Sequence, residues 1–407
     1  MKLDSTSIRR ISIFCIIMQS IGIRFFGGFG ILMIITVIIL NAKFVSHLKI
    51  YKPVFLCILI FGILAIITLK GFEVALIVNL FLTIIASLLF LQNYQSKNRN
   101  FISDIKPVLW FFSIYGFVSW SFLVLLPGIF TKVNMGLNYS TFFFILTNLA
   151  PKDGPIPRLS SLLWEPGCAQ FIFNFLLVIL ITQREKKTKI AFVAFLVLLT
   201  KSTTGFINLV FIAALYVKIN RISLAKIVLG ATIIFSVGLY SFISNNITDK
   251  VANSSGIIRT RDFYVGYELT KRHPIFGVDT QNLANNPEAQ ILEDEIWGGT
   301  DVWTRTHGYF AGGYTNGLMG VLLDYGATVG LLLYWLTLKA PIIWNNKSQI
   351  NPYCFFIVFF CSLIGEPISR TSLFFIFALS YLVNYPDKSI LSKNHKNTRL
   401  LLFQATS

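Results

Sequence analysis

The chain reads as an all-α polytopic integral membrane protein, one transmembrane domain over residues 1–407 with about 12 spanning helices. Three observations predict this. The composition is 55% hydrophobic and only 13% charged, about half the charged share of a soluble domain. The apolar residues gather into runs of near-spanning length. Finally, Lys and Arg fall mainly in every second gap between those runs, which sets the direction of threading.

The runs lie near 8–23, 26–42, 53–69, 73–92, 108–126, 168–183, 190–203, 205–217, 227–243, 317–338, 353–365 and 371–385. One family of gaps comprises the N-terminus, 43–52, 93–107, 184–189, 218–226, 339–352 and the C-terminus, and it holds 22 of the 35 basic residues. The other family holds Arg24, Lys70, Lys132, Lys152, Arg158, Lys201 and Arg370, and the long segment 244–316 holds the rest. The first family is therefore expected in the cytoplasm, with both termini inside and two large loops, 127–167 and 244–316, outside. Arg9 and Arg10 precede the first run as in a signal peptide. No small-residue cleavage site follows, and Arg24 with Gly27-Gly28 leads directly into the second run. The first run is expected to stay as an uncleaved span.

The net charge of +17 gathers on the cytoplasmic side, where it suits an anionic leaflet and argues against nucleic acid as a partner. Five cysteines, Cys15, Cys57, Cys168, Cys354 and Cys361, lie in or beside apolar runs without ligand spacing. Neither disulfides nor zinc is expected.

Within the first outer loop, residues 139–150 are amphipathic and predict a short interfacial or re-entrant helix. Pro151, Pro155 and Pro157 then impose extended or turn backbone. The polar turn 201–205 joins two apolar runs, and polar backbone at that depth is expected to border a watery cavity. In the second loop the spacing predicts a helix over 258–272, ended by Pro274, with a turn at Gly277. The Gly-, Asn- and acid-rich remainder is long enough to suggest binding. No repeat relates the two halves, which counts against a secondary transporter.

Candidate functional residues concentrate in these loops. Glu165 precedes Pro166 at the start of a span, near the cation Arg158. It reads either as a helix-capping carboxylate or as a reactive one at the membrane surface. Arg259 and Arg261 stand at the start of the 258–272 helix with Asp262, Phe263, Tyr264 and Tyr267. Guanidinium forks suit diphosphate oxygens, although pairing with Asp262 and Glu268 is the plainer alternative. His307 can act as a base or hydrogen-bond donor, or be an ordinary loop histidine. Asn316 marks a span entry, and Asp324, two turns inside, should face a cavity or partner. Glu366 and Arg370 are expected to pair in the last outer turn. Glu293, Asp294 and Glu295, three consecutive carboxylates, point in different directions and predict no metal site.

Five stretches, RLSSLLWEPG (158–167), KSTTG (201–205), SGIIRTRDF (255–263), HPIFGV (273–278) and TNGLMGVLLDYG (315–326), resemble in order and placement those of the Wzy-type O-antigen and capsular polysaccharide polymerases, which are related to the O-antigen ligases. The ligase pattern carries a His-Asn pair where this chain has Thr315-Asn316, with His307 the histidine upstream, and this difference favours the polymerase.

The resemblance implies glycosyl transfer at the outer face of the bacterial inner membrane, between undecaprenyl-diphosphate-linked oligosaccharides, with no cofactor and no metal. Membrane lipids, a chain-length regulator and a flippase are the further partners it implies. Arg158, Arg259, Arg261 and Arg370 would hold the diphosphate, with Glu165 as first and His307 as second candidate for the general base. Trp164, Asp262, Tyr264, His273, Asn316 and Asp324 would support the site or touch sugar. Trp297, Trp303 and Tyr309 serve equally as sugar contacts or interfacial anchors. Ligation of a finished glycan to lipid A–core, and lipid-linked oligosaccharide flipping, are the competing functions.

Overall fold

Apolar helices occupy ten of the twelve expected runs: α1 (Ser5–Ile21), α2 (Phe29–Asn41), α3 (Val74–Gln92), α4 (Phe101–Leu125), α5 (Pro166–Thr182), α6 (Lys187–Leu199) and α7 (Thr203–Asn220). Two loop helices follow, α8 (Ser255–Arg272) and α9 (Pro287–Trp297), and then α10 (Gly317–Leu338), α11 (Pro352–Gly365) and α12 (Ser372–Val383). This computed structural model describes residues 4–43, 74–94, 100–134, 138–143, 145–149, 157–220, 255–278, 280, 283–297, 316–366, 368 and 371–383. The expected runs near 53–69 and 227–243 lie outside the described residues. Three stretches, Phe101–Leu125, Thr203–Asn220 and Gly317–Trp344, are long and apolar enough to cross a membrane, since about 20 residues span a hydrocarbon core. The other apolar helices are shorter or less completely apolar.

Local chemistry sets the helix starts. Asn100, Asn316 and Asn351 accept from the backbone N–H of Ser103, Met319 and Cys354 at 3.2, 3.1 and 3.0 Å, which satisfies first-turn donors. Pro166 and Pro352 open α5 and α11, where the missing N–H has no partner to lose.

The outward faces identify the solvent. On α4 the residues Phe111, Ile114, Val118, Phe122 and Leu125 are exposed at helical spacing. On α2 the same holds for Leu32, Ile35 and Ile39, and on α7 for Ile207, Val210 and Phe211. Apolar stripes this extensive on the exterior belong to a membrane-associated chain. By contrast α5 is buried almost throughout, between α4, α6, α7 and α11, and α12 is enclosed by α1, α3 and α10.

Alternate helix ends meet at opposite poles of the bundle. At one pole Arg9 of α1 donates to Asp104 of α4 at 2.5 Å, and Tyr94 Oη donates to the same carboxylate at 3.0 Å. There Lys106 also pairs with Glu185 at 2.6 Å, and Asn351 N–H reaches Thr182 at 3.0 Å. Among the described residues, parts of four Lys- and Arg-rich gaps meet at this pole, those that hold Arg9, Lys106, Glu185 and Asn351. At the other pole the backbone N–H groups of Ser372 and Leu373 bond Gln19 and Ser20, and Trp164 N–H bonds Ile21 O, all at 3.0 Å.

The first loop departs from expectation. In place of a helix over 139–150, it forms an antiparallel sheet of β1 (Thr131–Asn134), β2 (Asn138–Phe142) and β3 (Leu146–Leu149). Aromatic and β-branched residues crowd this stretch and favour strands. Phe143, with φ 48°, makes the turn that lets Thr141 pair with Thr147. Ser119 and Tyr115 of α4 anchor the sheet through Thr147 O and Ile145 O, each at 2.9 Å.

In the second loop α8 forms as expected and lays Val265 and Leu269 on Leu292 of α9 and on Met319 and Leu323 of α10. Its C-terminal extension, 273–278, docks into a break in α10. There Gly326 takes φ 72°, ψ 159°, Val278 N–H bonds Leu323 O at 2.7 Å and Thr328 N–H bonds Pro274 O at 3.3 Å.

Candidate functional site

Arg158 sits between β3 and α5 on a segment fixed from several sides. Asn148 Oδ1 accepts from Ser160 N–H and Oγ–H at 2.8 and 2.6 Å, Leu159 N–H bonds Leu199 O at 3.0 Å, and Ser161 Oγ bonds Phe112 O at 2.8 Å. Ser161 and Lys201 hold φ of 60° and 49°, strained values of the kind a surrounding structure must enforce. The Arg158 guanidinium donates to Thr200 O at 3.1 Å and to Lys201 O at 3.5 Å. It thereby occupies the C-terminal, partially negative end of α6. The polar turn 201–205 thus borders the cluster of charges around Arg158.

Glu165 is the N-cap residue of α5 by backbone conformation, but its carboxylate does not close the cap. Tyr139 of β2 donates its hydroxyl to Trp164 O at 2.7 Å, which fixes the residue before Glu165. Burial, with the charges of Glu165 and Cys168 behind it, pushes the Tyr139 hydroxyl well above its usual range.

Two further groups reach this place from distant parts of the chain. Glu366, just past α11, is 3% exposed and accepts from Cys168 Sγ at 3.2 Å. Arg259 of α8 brings Nη2 to 3.6 Å from where a Cβ on Gly365 would lie. Burial and then the charge of Glu165 push the Glu366 carboxyl up to about 8, against the pull of Cys168, Arg259 and Arg158. Burial, reinforced by Arg259, lowers the Arg158 guanidinium, while Glu165 and Glu366 counteract. Arg158, Arg259, Glu165 and Glu366 are therefore one electrostatic unit at the pole opposite the basic one. Beneath it a wholly buried amide network links three helices: Gln170 donates to Ser362 at 3.2 Å, Asn174 to Gln170 at 2.8 Å and Asn208 to Ser362 at 3.2 Å.

Trp164 and Asn316 adjoin the site, next in sequence to Glu165 and to Gly317, which packs on Glu366, while the other expected site residues lie elsewhere. Arg261 is fully buried and ion-paired to Asp262 at 3.0 Å and Glu293 at 3.3 Å, while Asp294 and Glu295 are exposed. His273 Nε2 meets Glu288 at 2.7 Å. Asp324, inside α10, accepts from Thr280 Oγ1 at 2.7 Å, and Asn316 caps α10. Trp164 and Tyr264 are exposed. His307 and Arg370 lie outside the described residues, as do Trp303 and Tyr309.

Tyr139 and Cys168 join the site without having been expected there, and Glu366, expected only as a local partner of Arg370, joins the Arg158 and Glu165 cluster. For Glu366 a signal existed: an acid at the end of an apolar run, between Gly365 and Pro367, on the same side as Arg158. Tyr139 carried none, because its approach depends on the sheet. The chain matches no protein-family model, no curated protein and no solved structure.

Proposed function

We propose that the chain is a polysaccharide polymerase that joins undecaprenyl-diphosphate-linked repeat units at the outer face of a bacterial inner membrane. The observation that carries this reading is the meeting of Arg158 and Arg259, from different loops, beside Glu165 at one pole of an apolar helical bundle. Two guanidinium groups match the oxygens of a diphosphate leaving group, and the exposed apolar helices leave the isoprenoid tails in lipid.

Glu165 takes the proton from the acceptor hydroxyl. The hydroxyl oxygen then bonds to the anomeric carbon, and the anomeric carbon–oxygen bond to phosphate breaks. Undecaprenyl diphosphate departs with the electron pair, its charge held by Arg158 and Arg259. Arg261 is assigned to holding α8 in place.

Single replacement of Arg158, Glu165 or Arg259 by Ala, in a strain lacking the native gene, tests the reading on gels of surface glycan. The expected product is a single repeat unit, with long polymer reduced about 100-fold or more. A normal ladder in all three would end the proposal. Lipid-linked polymer that is not transferred to lipid A would indicate a ligase, and precursor held in the cytoplasmic leaflet a flippase.

A further inference from the structure

Glu366 takes no part in the transfer step above, yet it is enclosed by every element that carries the charges of the site. Room is cleared for it by missing side chains: a Cβ on Gly167 of α5 would lie 1.6 Å from Glu366 Oε1, and one on Gly317 of α10 would lie 2.2 Å from its backbone oxygen. The titratable groups facing it among the described residues are Glu165 and Cys168 of α5, Arg158 before α5 and Arg259 of α8. With Glu366 neutral and Glu165 ionised, the two guanidiniums outnumber the carboxylates by one charge, and Lys201 beside Arg158 adds to the positive balance. Ionisation of Glu366 cancels one of these positive charges. A carboxylate and a diphosphate make the same kind of charge-assisted bond to a guanidinium.

We propose that Glu366 is a positioning residue, whose neutral carboxyl leaves Arg158 and Arg259 available to a diphosphate and whose ionised form competes with that ligand. The inference rests on the diphosphate ligand proposed above and adds its regulation. Proton and ligand then favour one another reciprocally. Burial and the nearby charge of Glu165 both hold the proton on Glu366 at neutral pH, so the site is expected to be receptive there and to close in alkali.

The test is calorimetric binding of inorganic diphosphate to the full-length protein in detergent, from about pH 6 to about pH 9, for wild type and Glu366→Gln. Comparing the two proteins at each pH removes the titration of diphosphate itself. Wild-type affinity should fall about tenfold or more relative to Glu366→Gln across this range, the weight of about one pKa unit of differential interaction. Should Glu366→Gln fail to fold, infrared spectra of wild type supply the readout. The carbonyl band of a protonated carboxyl should fade at high pH and return on adding diphosphate.

Parallel pH profiles in the two proteins, or an infrared band indifferent to diphosphate, would overturn the inference. So would failure of either protein to bind diphosphate. A gel ladder dependent on Arg158 and Arg259, found together with any of these results, would leave the polymerase standing. Proton-linked binding found with an unaffected ladder would remove the polymerase and keep the anion site.

Discussion

Arg259 and Arg261 are two residues apart on α8, yet one is at the rim beside Gly365 and the other is sealed against Asp262 and Glu293. Removing one partner of a buried ion pair leaves uncompensated charge and costs about 3–5 kcal/mol. Arg261→Ala should therefore lower the thermal midpoint of the detergent-purified protein sharply, whereas Arg259→Ala should move stability by less than about 1 kcal/mol and act on the product ladder. Equal melting of the two variants would contradict this division. Glu366 gives stability a pH dependence of unusual sign. Its folded value, about 8, lies above the ordinary carboxyl value of 4.5. Its contribution is thus complete below that ordinary value and is lost as pH rises through about 8. Wild type should melt progressively lower than Glu366→Gln as pH rises across this window, in parallel thermal scans of the two proteins.

At the scale of elements, the stretch 273–278 and the break in α10 make one joint. Gly277 has φ 71°, and a Cβ on it would lie 1.7 Å from Leu323 O; Gly326 has φ 72°, and its Cβ would lie 2.2 Å from Ile275 O. Both glycines are required, for conformation and for close approach. Gly277→Ala and Gly326→Ala should each destabilise by at least about 1–3 kcal/mol from backbone strain alone. Because each opens the same joint, the double variant should fall well short of the sum, as a thermal double-mutant cycle would reveal; strict additivity would argue against a shared contact. The sequence exposes one side of the joint, the end of α8 at Pro274 and the turn at Gly277, but not its contact with the break in α10 at Gly326, some fifty residues further along the chain. The shared diphosphate role expected of Arg259 and Arg261 conflicts with their spacing in a helix. Two residues turn a helix by about 200°, so the pair cannot share one ligand from one face. The β2–β3 hairpin was hidden because apolar residues at 139–150 satisfy a helical face as readily as an alternating one, and only the anchors on α4 decide between them.

At the scale of the whole chain, the alternation of basic gaps is what the sequence states most clearly, and the described helix ends obey it. Arg9, Lys106 and the Lys- and Arg-rich stretch 184–189 collect at one pole, with Arg158, Glu165 and Glu366 at the other. The convergence of 158, 259 and 366 stays illegible from one sequence, because it depends on how α5, α8 and α11 pack. Orientation is nevertheless testable at single positions. By the positive-inside rule the basic pole is expected to face the cytoplasm, and the polymerase proposed above requires the charged site to face outward. Trp164→Cys places a thiol on an exposed residue beside that site, Tyr264→Cys places one on the exposed face of α8, and Lys347→Cys places one at the basic pole. Cys57 and Cys361 are replaced by Ser in the parent protein, Cys361 being only partly buried, while Cys15, Cys168 and Cys354 are buried. A membrane-impermeant maleimide added to spheroplasts should label positions 164 and 264 at once, and position 347 only after lysis. Labelling of 347 in sealed cells with 164 and 264 protected would invert the chain, place the arginines in the cytoplasm and remove the basis for an outer-face polymerase.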